Sequence, residues 1–236
     1  MNDKIIVALD VDTSDKAVDW VQRLKNDVGY FKVGKQLFTS TGPEIVRKIK
    51  NDGAGLFLDL KFHDIPNTVA AASVEAVRLG VDMFNVHALG GYEMMARSAG
   101  AVRDEAARLG IKKPVFIAVT VLTSMSDESL QEAGILTPAA DEVRRLALLA
   151  RRAGMDGVVA SPREIKLIKE ACGNDFIVVT PGVRTSLSSS DDQVRVMTPG
   201  EAVKAGADYL VIGRPITAAA DPLAAVKAIS EDMCPE

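Results

Sequence analysis

The sequence is poor in cysteine and aromatic residues, and no long hydrophobic run occurs in it. Its two cysteines, Cys172 and Cys234, offer neither a disulfide framework nor the spacing of a metal site. No apolar stretch approaches the roughly 18 residues that a membrane-spanning helix needs. The formal net charge of −4 argues against a general nucleic-acid-binding surface. The first residues lack the features of a signal peptide, so we expect a cytoplasmic location.

Short apolar runs alternate with longer, alanine-rich amphipathic stretches along the 236 residues. Strand character occurs at 4–10, 30–34, 56–61, 82–87, 114–121, 157–160, 176–180 and 209–213. Helical periodicity occurs at 14–26, 42–52, 66–79, 91–109, 138–153, 162–172, 199–205 and 218–231. Eight strand–helix units without a break in composition favour one α/β domain over residues 1–236, a single (β/α)₈ TIM barrel. Periodicity alone leaves an open doubly wound sheet as the alternative.

The third predicted strand carries charge in an otherwise apolar setting. By strand alternation, Phe57, Asp59 and Lys61 share one face, and Asp64 follows the end of the strand. Buried charge is costly unless it is paired, so a structural Asp59–Lys61 ion pair is one explanation. Lys32 on the second strand adds another charge to the same end of the barrel. Several charges converging in one place favour chemistry over stability.

Polar residues also stand at the ends of other strands, where the active sites of such barrels lie. Asp10 ends the first strand, and the fourth ends with Asn85 and His87. Asp10 suits a helix cap as well as a ligand contact, and His87 suits packing as well as catalysis. Thr123 and Ser124 follow the fifth strand, where they could bind a ligand or cap the next turn.

The seventh and eighth strand ends have the composition of a phosphate site. Gly182 with Arg184, and Gly213 with Arg214, combine exposed backbone amides with guanidinium groups. Phosphate sites in these barrels frequently follow strands 7 and 8. The small, polar segment 185–193 is either an exposed linker or a mobile lid, and its position between two arginines favours a lid over a phosphate.

These features occur in motifs that resemble the orotidine 5′-phosphate decarboxylase family. The motifs are Phe31-Lys32-Val33-Gly34, Asp59-Leu60-Lys61-Phe62-His63-Asp64-Ile65-Pro66-Asn67-Thr68-Val69, Thr180-Pro181-Gly182-Val183-Arg184 and Ile212-Gly213-Arg214-Pro215-Ile216. The resemblance covers essentially the whole chain. Its Asp-x-Lys-x-x-Asp core is shared with a wider barrel suprafamily, whereas the Ile-Pro-Asn-Thr continuation and Lys32 are specific to the narrower family.

The resemblance implies a (β/α)₈ homodimer that decarboxylates orotidine 5′-monophosphate to UMP, the last step of de novo pyrimidine synthesis. No cofactor and no metal are expected. Lys61 would donate a proton to C6 of the pyrimidine, within an alternating charge array completed by Lys32, Asp59 and Asp64. Asp64 and Thr68 would reach into the site from the partner subunit, so the two active sites would lie at the dimer interface.

The resemblance also implies a set of substrate contacts. Asp10 and Lys32 would hold the ribose hydroxyls, and Asp59 and Thr68 would also line the site. Thr123 and Ser124 fall where the family contacts the pyrimidine. The phosphate would be bound by Arg184, Gln193, Gly213 and Arg214, with a mobile lid at about 184–193 that Gln193 closes.

Two other functions remain open at this point. The first is a metal-dependent sugar-phosphate decarboxylase or synthase of the same suprafamily, in which Asp59 and Asp64 would serve a Mg²⁺ ion. Lys32 argues against it, because an ammonium group would repel the metal. The second is a non-catalytic barrel that binds UMP-like nucleotides, which gives no reason for the facing charges.

Overall fold

A computed structural model describes residues 2–183 and 197–234 of the chain. Its eight parallel strands follow one another in chain order around a closed barrel, and the last strand pairs with the first. The predicted (β/α)₈ barrel is therefore confirmed, and closure excludes an open doubly wound sheet. The predicted lid at about 184–193 lies outside the described residues.

The strands agree with the predicted ones to within two residues at each end. They are β1 Ile5–Ala8, β2 Tyr30–Gly34, β3 Leu56–Phe62, β4 Met83–His87, β5 Val115–Val119, β6 Gly157–Val159, β7 Ile177–Pro181 and β8 Tyr209–Ile212. Their carboxyl ends lie together at one end of the barrel, which is where the sequence places its charged residues.

All eight predicted helices are present, and the described chain has three short α-helices that periodicity did not predict. The helices are α1 Ser14–Leu24, α2 Lys35–Thr41, α3 Glu44–Asn51, α4 Pro66–Arg78, α5 Gly91–Leu109, α6 Asp127–Glu132, α7 Ala139–Arg152, α8 Ile165–Cys172, α9 Pro199–Ala205, α10 Arg214–Thr217 and α11 Pro222–Asp232. The additional ones, α2, α6 and α10, span only one or two turns, too few to give a periodic signal. None of the described helices has the length and apolar character to cross a bilayer.

Strand alternation divides the core into two layers. A small cluster of Ile6, Phe57, Met83, Ile117 and Val179 fills the barrel interior. A much larger cluster, to which the alternate strand residues contribute, packs between the barrel and the helices. Because side chains fill the interior, a ligand can bind only at an end of the barrel.

The opposite end of the barrel is stabilised by a repeated Gly-x-Asp sequence that precedes β4, β6 and β8. In each copy the Asp accepts one hydrogen bond from a backbone N–H of the preceding strand and one from a Lys ammonium. The Asp, N–H and Lys sets are Asp82 with Leu56 and Lys50, Asp156 with Phe116 and Lys113, and Asp208 with Val178 and Lys169. Each Asp thus links the segment that leads into its own strand to the preceding strand and to a lysine.

Replacing Asp208 by alanine is expected to lower the free energy of unfolding by about 2 to 3 kcal/mol. The change leaves the Val178 N–H without its acceptor and the nearly buried Lys169 ammonium without its carboxylate. Urea unfolding at pH 7 measures the effect. Glu231→Gln is the matched control, because its bridge to Lys227 is long and exposed and should be worth under about 0.5 kcal/mol. Equal effects of the two changes would contradict this role for the repeat.

Candidate active site

Four charged side chains form a row across the carboxyl ends of β1, β2 and β3. The Lys32 ammonium lies 3.4 Å from a carboxylate oxygen of Asp10 and 3.4 Å from one of Asp59. The Lys61 ammonium lies 2.6 Å from the other Asp59 oxygen. The signs therefore alternate along the row Asp10, Lys32, Asp59, Lys61, and the structure brings together four of the residues that the sequence singled out.

Asp59 is the centre of this row. Its side chain and that of Lys32 are each only 12% exposed. Burial alone would raise the pKa of Asp59, but the two ammonium groups and the hydrogen bonds from Lys61 and Asn85 together hold it below its ordinary value. The group is a carboxylate at neutral pH, with an ammonium on each side.

Lys61 departs from the strand geometry that simple alternation predicts. Its φ is 54°, which makes it the one residue other than glycine with positive φ among the described residues. The pairing of β3 with β4 also shifts register between Leu58 and Phe62. Such a backbone conformation costs on the order of 1 to 3 kcal/mol and persists only where neighbouring groups enforce it. Here the Lys61 N–H donates a 2.8 Å hydrogen bond to the side chain of Asn85.

His87 and His63 lie beside the row. Their ring centroids are 5.5 Å apart, and the Nδ1 atom of His87 is buried without a hydrogen-bond partner among the described residues. Burial, together with the nearby His63, Lys35 and Lys61, lowers the pKa of His87 to about 4 and outweighs the opposite effect of Asp59. The imidazole is therefore neutral at pH 7.

This depressed pKa predicts that stability falls as the pH is lowered from about 6.5 to about 4. Over that range the unfolded chain takes up a proton on His87 that the folded chain does not, so protonation favours unfolding. We expect His87→Gln to reduce the loss of unfolding free energy between pH 7 and pH 4.5, measured by urea denaturation. His63→Gln is the control, because His63 is exposed. This variant should lose nearly as much unfolding free energy between pH 7 and pH 4.5 as the wild type. Parallel curves for wild type and His87→Gln would contradict the assignment.

Asp64 and Thr68 follow β3 but do not join the row in this chain. Both residues are exposed, and the Asp64 carboxylate accepts a 2.6 Å hydrogen bond from the N–H of Ile65. Within the described part of the chain, Asp64 forms no ion pair. The fourth charge of the predicted array is therefore not supplied to Lys61 by its own chain.

The structure describes four of the remaining predicted contacts, Thr123, Ser124, Gly213 and Arg214. Thr123 and Ser124 lie in an exposed turn after β5, and neither caps α6, because Ser126 accepts the hydrogen bond from the Ser129 N–H. Gly213 begins the short helix α10, and a Cβ there would lie 3.7 Å from an Asp10 carboxylate oxygen. This close approach places the β8 end beside the β1 end. Arg214 follows and is exposed, whereas Arg184 and Gln193 lie outside the described residues.

Two residues without a predicted role contact the row directly. Asn85 is hydrogen-bonded to both Asp59 and Lys61. Gly34 lies under Lys32, since a Cβ at Gly34 would be 3.1 Å from the ammonium nitrogen. The sequence signal for Asn85 was a polar residue in an apolar strand. The sequence gives no comparable signal for glycine at position 34, because the need for glycine depends on where the Lys32 side chain lies in the folded protein.

Comparison with known proteins decides the family. A family model described as "Orotidine 5'-phosphate decarboxylase / HUMPS family" matches residues 3–229. The chain belongs to this family. The resemblance carried by the sequence motifs is thereby confirmed, and two members of the charged row, Asp59 and Lys61, belong to the Asp-x-Lys-x-x-Asp motif.

Individual members of the family are similar over nearly their whole length. An orotidine 5'-phosphate decarboxylase of Syntrophotalea carbinolica is 58% identical over 230 residues, which cover 98% of this chain and 94% of the relative. One from Moorella thermoacetica is 59% identical over 232 residues, which cover 98% of this chain and 92% of the relative. A crystal structure of orotidine 5'-phosphate decarboxylase from Lactobacillus acidophilus aligns with a TM-score of 0.86 at 39% identity, covering 97% of each chain.

Proposed function

We propose that the chain is a carboxy-lyase that converts orotidine 5′-monophosphate to UMP and CO₂. The observation that carries the proposal is the Lys32–Asp59–Lys61 row, in a chain at least 55% identical to several proteins named orotidine 5'-phosphate decarboxylase. In this reaction the bond between C6 and the carboxylate breaks, CO₂ leaves, and the electron pair remains on C6. A proton then takes the place of CO₂ at C6.

Lys61 supplies what this reaction needs most. The carbanion at C6 has no adjacent electron sink, so it must be stabilised by a positive charge that is in place beforehand. The Lys61 ammonium is held by Asp59 at 2.6 Å and by a fixed backbone, so little reorganisation is required as charge develops. The same ammonium is the acid that protonates C6, and the neutral lysine then regains a proton from solvent.

Asp59 and Lys32 set the electrostatics around Lys61. The pKa of Asp59 is held below its ordinary value, so the group keeps a negative charge where the substrate carboxylate must approach. Departure of that carboxylate as neutral CO₂ relieves the repulsion. Lys32 bridges Asp59 and Asp10 at 3.4 Å each, which places an ammonium and a carboxylate at the edge of the row for ribose hydroxyls.

The phosphate is proposed to bind at the β8 end. Gly213 approaches Asp10 closely, and the exposed Arg214 follows it at the start of α10. A guanidinium can bind two phosphate oxygens at once. Arg184 and Gln193 are proposed to complete this site, and the lid role of 184–193 remains a prediction. Thr123 and Ser124, exposed after β5, are proposed to contact the pyrimidine.

Replacing Arg214 by alanine is expected to lower kcat/KM by on the order of 100-fold, chiefly through a higher KM. Phosphate binding energy is used to hold the substrate in place, so UMP should also bind more weakly. Steady-state kinetics and UMP titration measure both effects. Arg103→Ala, on an exposed arginine of α5, is the control. Unchanged kcat/KM would remove Arg214 from the phosphate site.

We also propose that two copies of the chain form a homodimer in which each supplies Asp64 and Thr68 to the other's site. Asp64 is exposed and forms no ion pair with any described residue, which supports this, because the proposed array needs a carboxylate on the far side of Lys61. Large apolar side chains stand exposed nearby at the starts of α4 and α5. They are Ile65, which is 66% exposed, with Leu89 and Tyr92. An apolar surface of this kind is typical of a protein interface.

The metal-dependent alternative is less well supported. A divalent cation at Asp59 would lie beside both the Lys32 and the Lys61 ammonium groups, which would repel it. Among the described residues, no group of three or more His, Cys, Asp or Glu side chains is placed to hold a metal ion. The relatives cited above are likewise named orotidine 5'-phosphate decarboxylase.

The function is tested by adding the purified protein to orotidine 5′-monophosphate and following the loss of its ultraviolet absorbance with EDTA present. We expect rapid conversion to UMP at the same rate with and without EDTA. UMP binding without turnover would favour the non-catalytic barrel. Activity only with Mg²⁺ and a sugar phosphate would favour the metal-dependent branch.

A further inference from the structure

Asn85 is hydrogen-bonded to both Asp59 and Lys61, the two residues at the centre of the proposed chemistry. It lies in β4, is 1% exposed, and by strand alternation shares the interior face of the barrel with Met83. Its Oδ1 accepts a 2.8 Å hydrogen bond from the backbone N–H of Lys61. Its Nδ2 donates a 2.7 Å hydrogen bond to Oδ1 of Asp59. These two partners fix the orientation of the amide, because an N–H requires an acceptor and a carboxylate requires a donor.

The same Asp59 oxygen also accepts the 2.6 Å hydrogen bond from the Lys61 ammonium. Asn85, Asp59 and Lys61 therefore form a closed loop of contacts, from the Lys61 backbone through the amide and the carboxylate to the Lys61 side chain. The loop stands where β3 and β4 shift register and where Lys61 has its left-handed φ of 54°. The Asn85 amide thus takes the place of a regular backbone hydrogen bond between β3 and β4 at this point.

We infer that Asn85 is a positioning residue for decarboxylation, which holds the Lys61 backbone in its left-handed conformation and orients the Asp59 carboxylate toward the Lys61 ammonium. The inference rests on the proposed function. Only asparagine and glutamine carry a neutral N–H donor and a carbonyl acceptor on one planar amide, and asparagine is the shorter of the two. Leucine would remove both hydrogen bonds, and aspartate would supply only the acceptor.

The pKa of Asp59 should report a change at Asn85, because this pKa depends on the groups that face the carboxylate. Lys32 faces it from β2 and Lys61 from β3, while Asn85 and the neutral His87 face it from β4. Asp10 from β1 contacts Lys32 rather than Asp59. Among the described residues, only Asn85 and the Lys61 ammonium donate hydrogen bonds to Asp59. Losing the Asn85 donor should therefore raise the pKa of Asp59, because the charged form loses a stabilising contact.

The test compares Asn85→Leu, Asn85→Asp and a control in the same assay. For Asn85→Leu we expect kcat to fall on the order of 100-fold with UMP affinity nearly unchanged, and the acid limb of kcat to move to higher pH. Asn85→Asp keeps the acceptor for Lys61 but places a second carboxylate against Asp59. Two such carboxylates share a proton at low pH, which restores a donor, so this variant should recover activity as the pH falls.

Ser98→Ala is the matched control, because Ser98 is a buried polar residue of α5 whose hydroxyl donates to the Met94 carbonyl, outside the loop of contacts. It should leave kcat and the acid limb unchanged. The inference is overturned if Asn85→Leu keeps kcat within about threefold of wild type. It is equally overturned if kcat and UMP affinity fall together while the acid limb stays in place, since that pattern indicates only general distortion.

A readout without turnover separates this inference from the proposed function. The titration of the Asp59 carboxyl carbon, followed by ¹³C NMR in wild type and in both Asn85 variants, should move to higher pH when the donor is lost. An inactive wild type would contradict the proposed function, whereas an unmoved Asp59 titration would contradict the positioning role even in an active enzyme. If Asn85→Leu fails to fold, Asn85→Asp alone decides, by the direction of its pH dependence.

Discussion

Replacing Lys61 by alanine is expected to lower kcat at least about 10⁴-fold, while UMP still binds. The variant loses both the positive charge that faces the developing carbanion and the acid that protonates it. A loss of this size corresponds to about 5.5 kcal/mol of transition-state stabilisation. The proposed phosphate and ribose contacts lie on other strands, so nucleotide affinity should change far less than kcat. Single-turnover decay of orotidine 5′-monophosphate absorbance and UMP titration separate the two quantities.

Lys166→Ala is the control for Lys61→Ala, because Lys166 is an exposed lysine on α8. It should leave kcat unchanged. A Lys61→Ala variant that retains most of the wild-type kcat would contradict the assigned role. Loss of folding can be told apart from loss of chemistry by thermal unfolding. We expect the variant to remain folded, since Asp59 keeps its contacts with Lys32 and Asn85.

The second large effect concerns Asp64. We expect Asp64→Ala alone and Lys61→Ala alone to be almost inactive, and their equimolar mixture, after subunit exchange, to regain about a quarter of the wild-type activity. Random pairing makes about half of the dimers mixed. In each mixed dimer one site should have both defects and the other neither, because in the proposed dimer Lys61 and Asp64 of one site come from different subunits. The assay is the decarboxylation rate before and after exchange.

Glu75→Ala replaces Asp64→Ala in the control mixture, because Glu75 is an exposed carboxylate of α4 that pairs with Arg78 in its own chain. Mixing Lys61→Ala with this active variant should only average the two activities. No recovery in the Asp64 mixture, despite confirmed subunit exchange, would mean that Asp64 acts within its own chain or not at all. Sedimentation of the separate variants shows whether a dimer exists to exchange.

The barrel was predictable because each strand–helix unit carries its own signal. Buried strands such as β3 appear in the sequence as apolar runs, and helices such as α5 appear as amphipathic stretches that end at a glycine. The short helices α2, α6 and α10 were missed because a turn or two gives no periodicity. The row of Asp10, Lys32, Asp59 and Lys61 was predictable in turn, since parallel strands bring their carboxyl ends to one place.

The finer geometry of the site was not predictable from alternation. The left-handed φ of Lys61 depends on the register shift between β3 and β4, which no local pattern encodes. The role of Asn85 follows from the same shift, because its amide meets the Lys61 N–H only in this register. The Gly-x-Asp sequence, by contrast, stands directly before β4, β6 and β8 and could have been found as an internal repeat.

The most direct measurement of the central claim is hydrogen exchange at C6 of UMP in D₂O, followed by ¹H NMR. By microscopic reversibility, an enzyme whose Lys61 protonates a C6 carbanion must also remove that proton and return deuterium. We predict that wild-type protein exchanges the C6 hydrogen and leaves C5 alone, and that Lys61→Ala does not exchange it. Exchange at C6 with undiminished rate in Lys61→Ala would contradict the account.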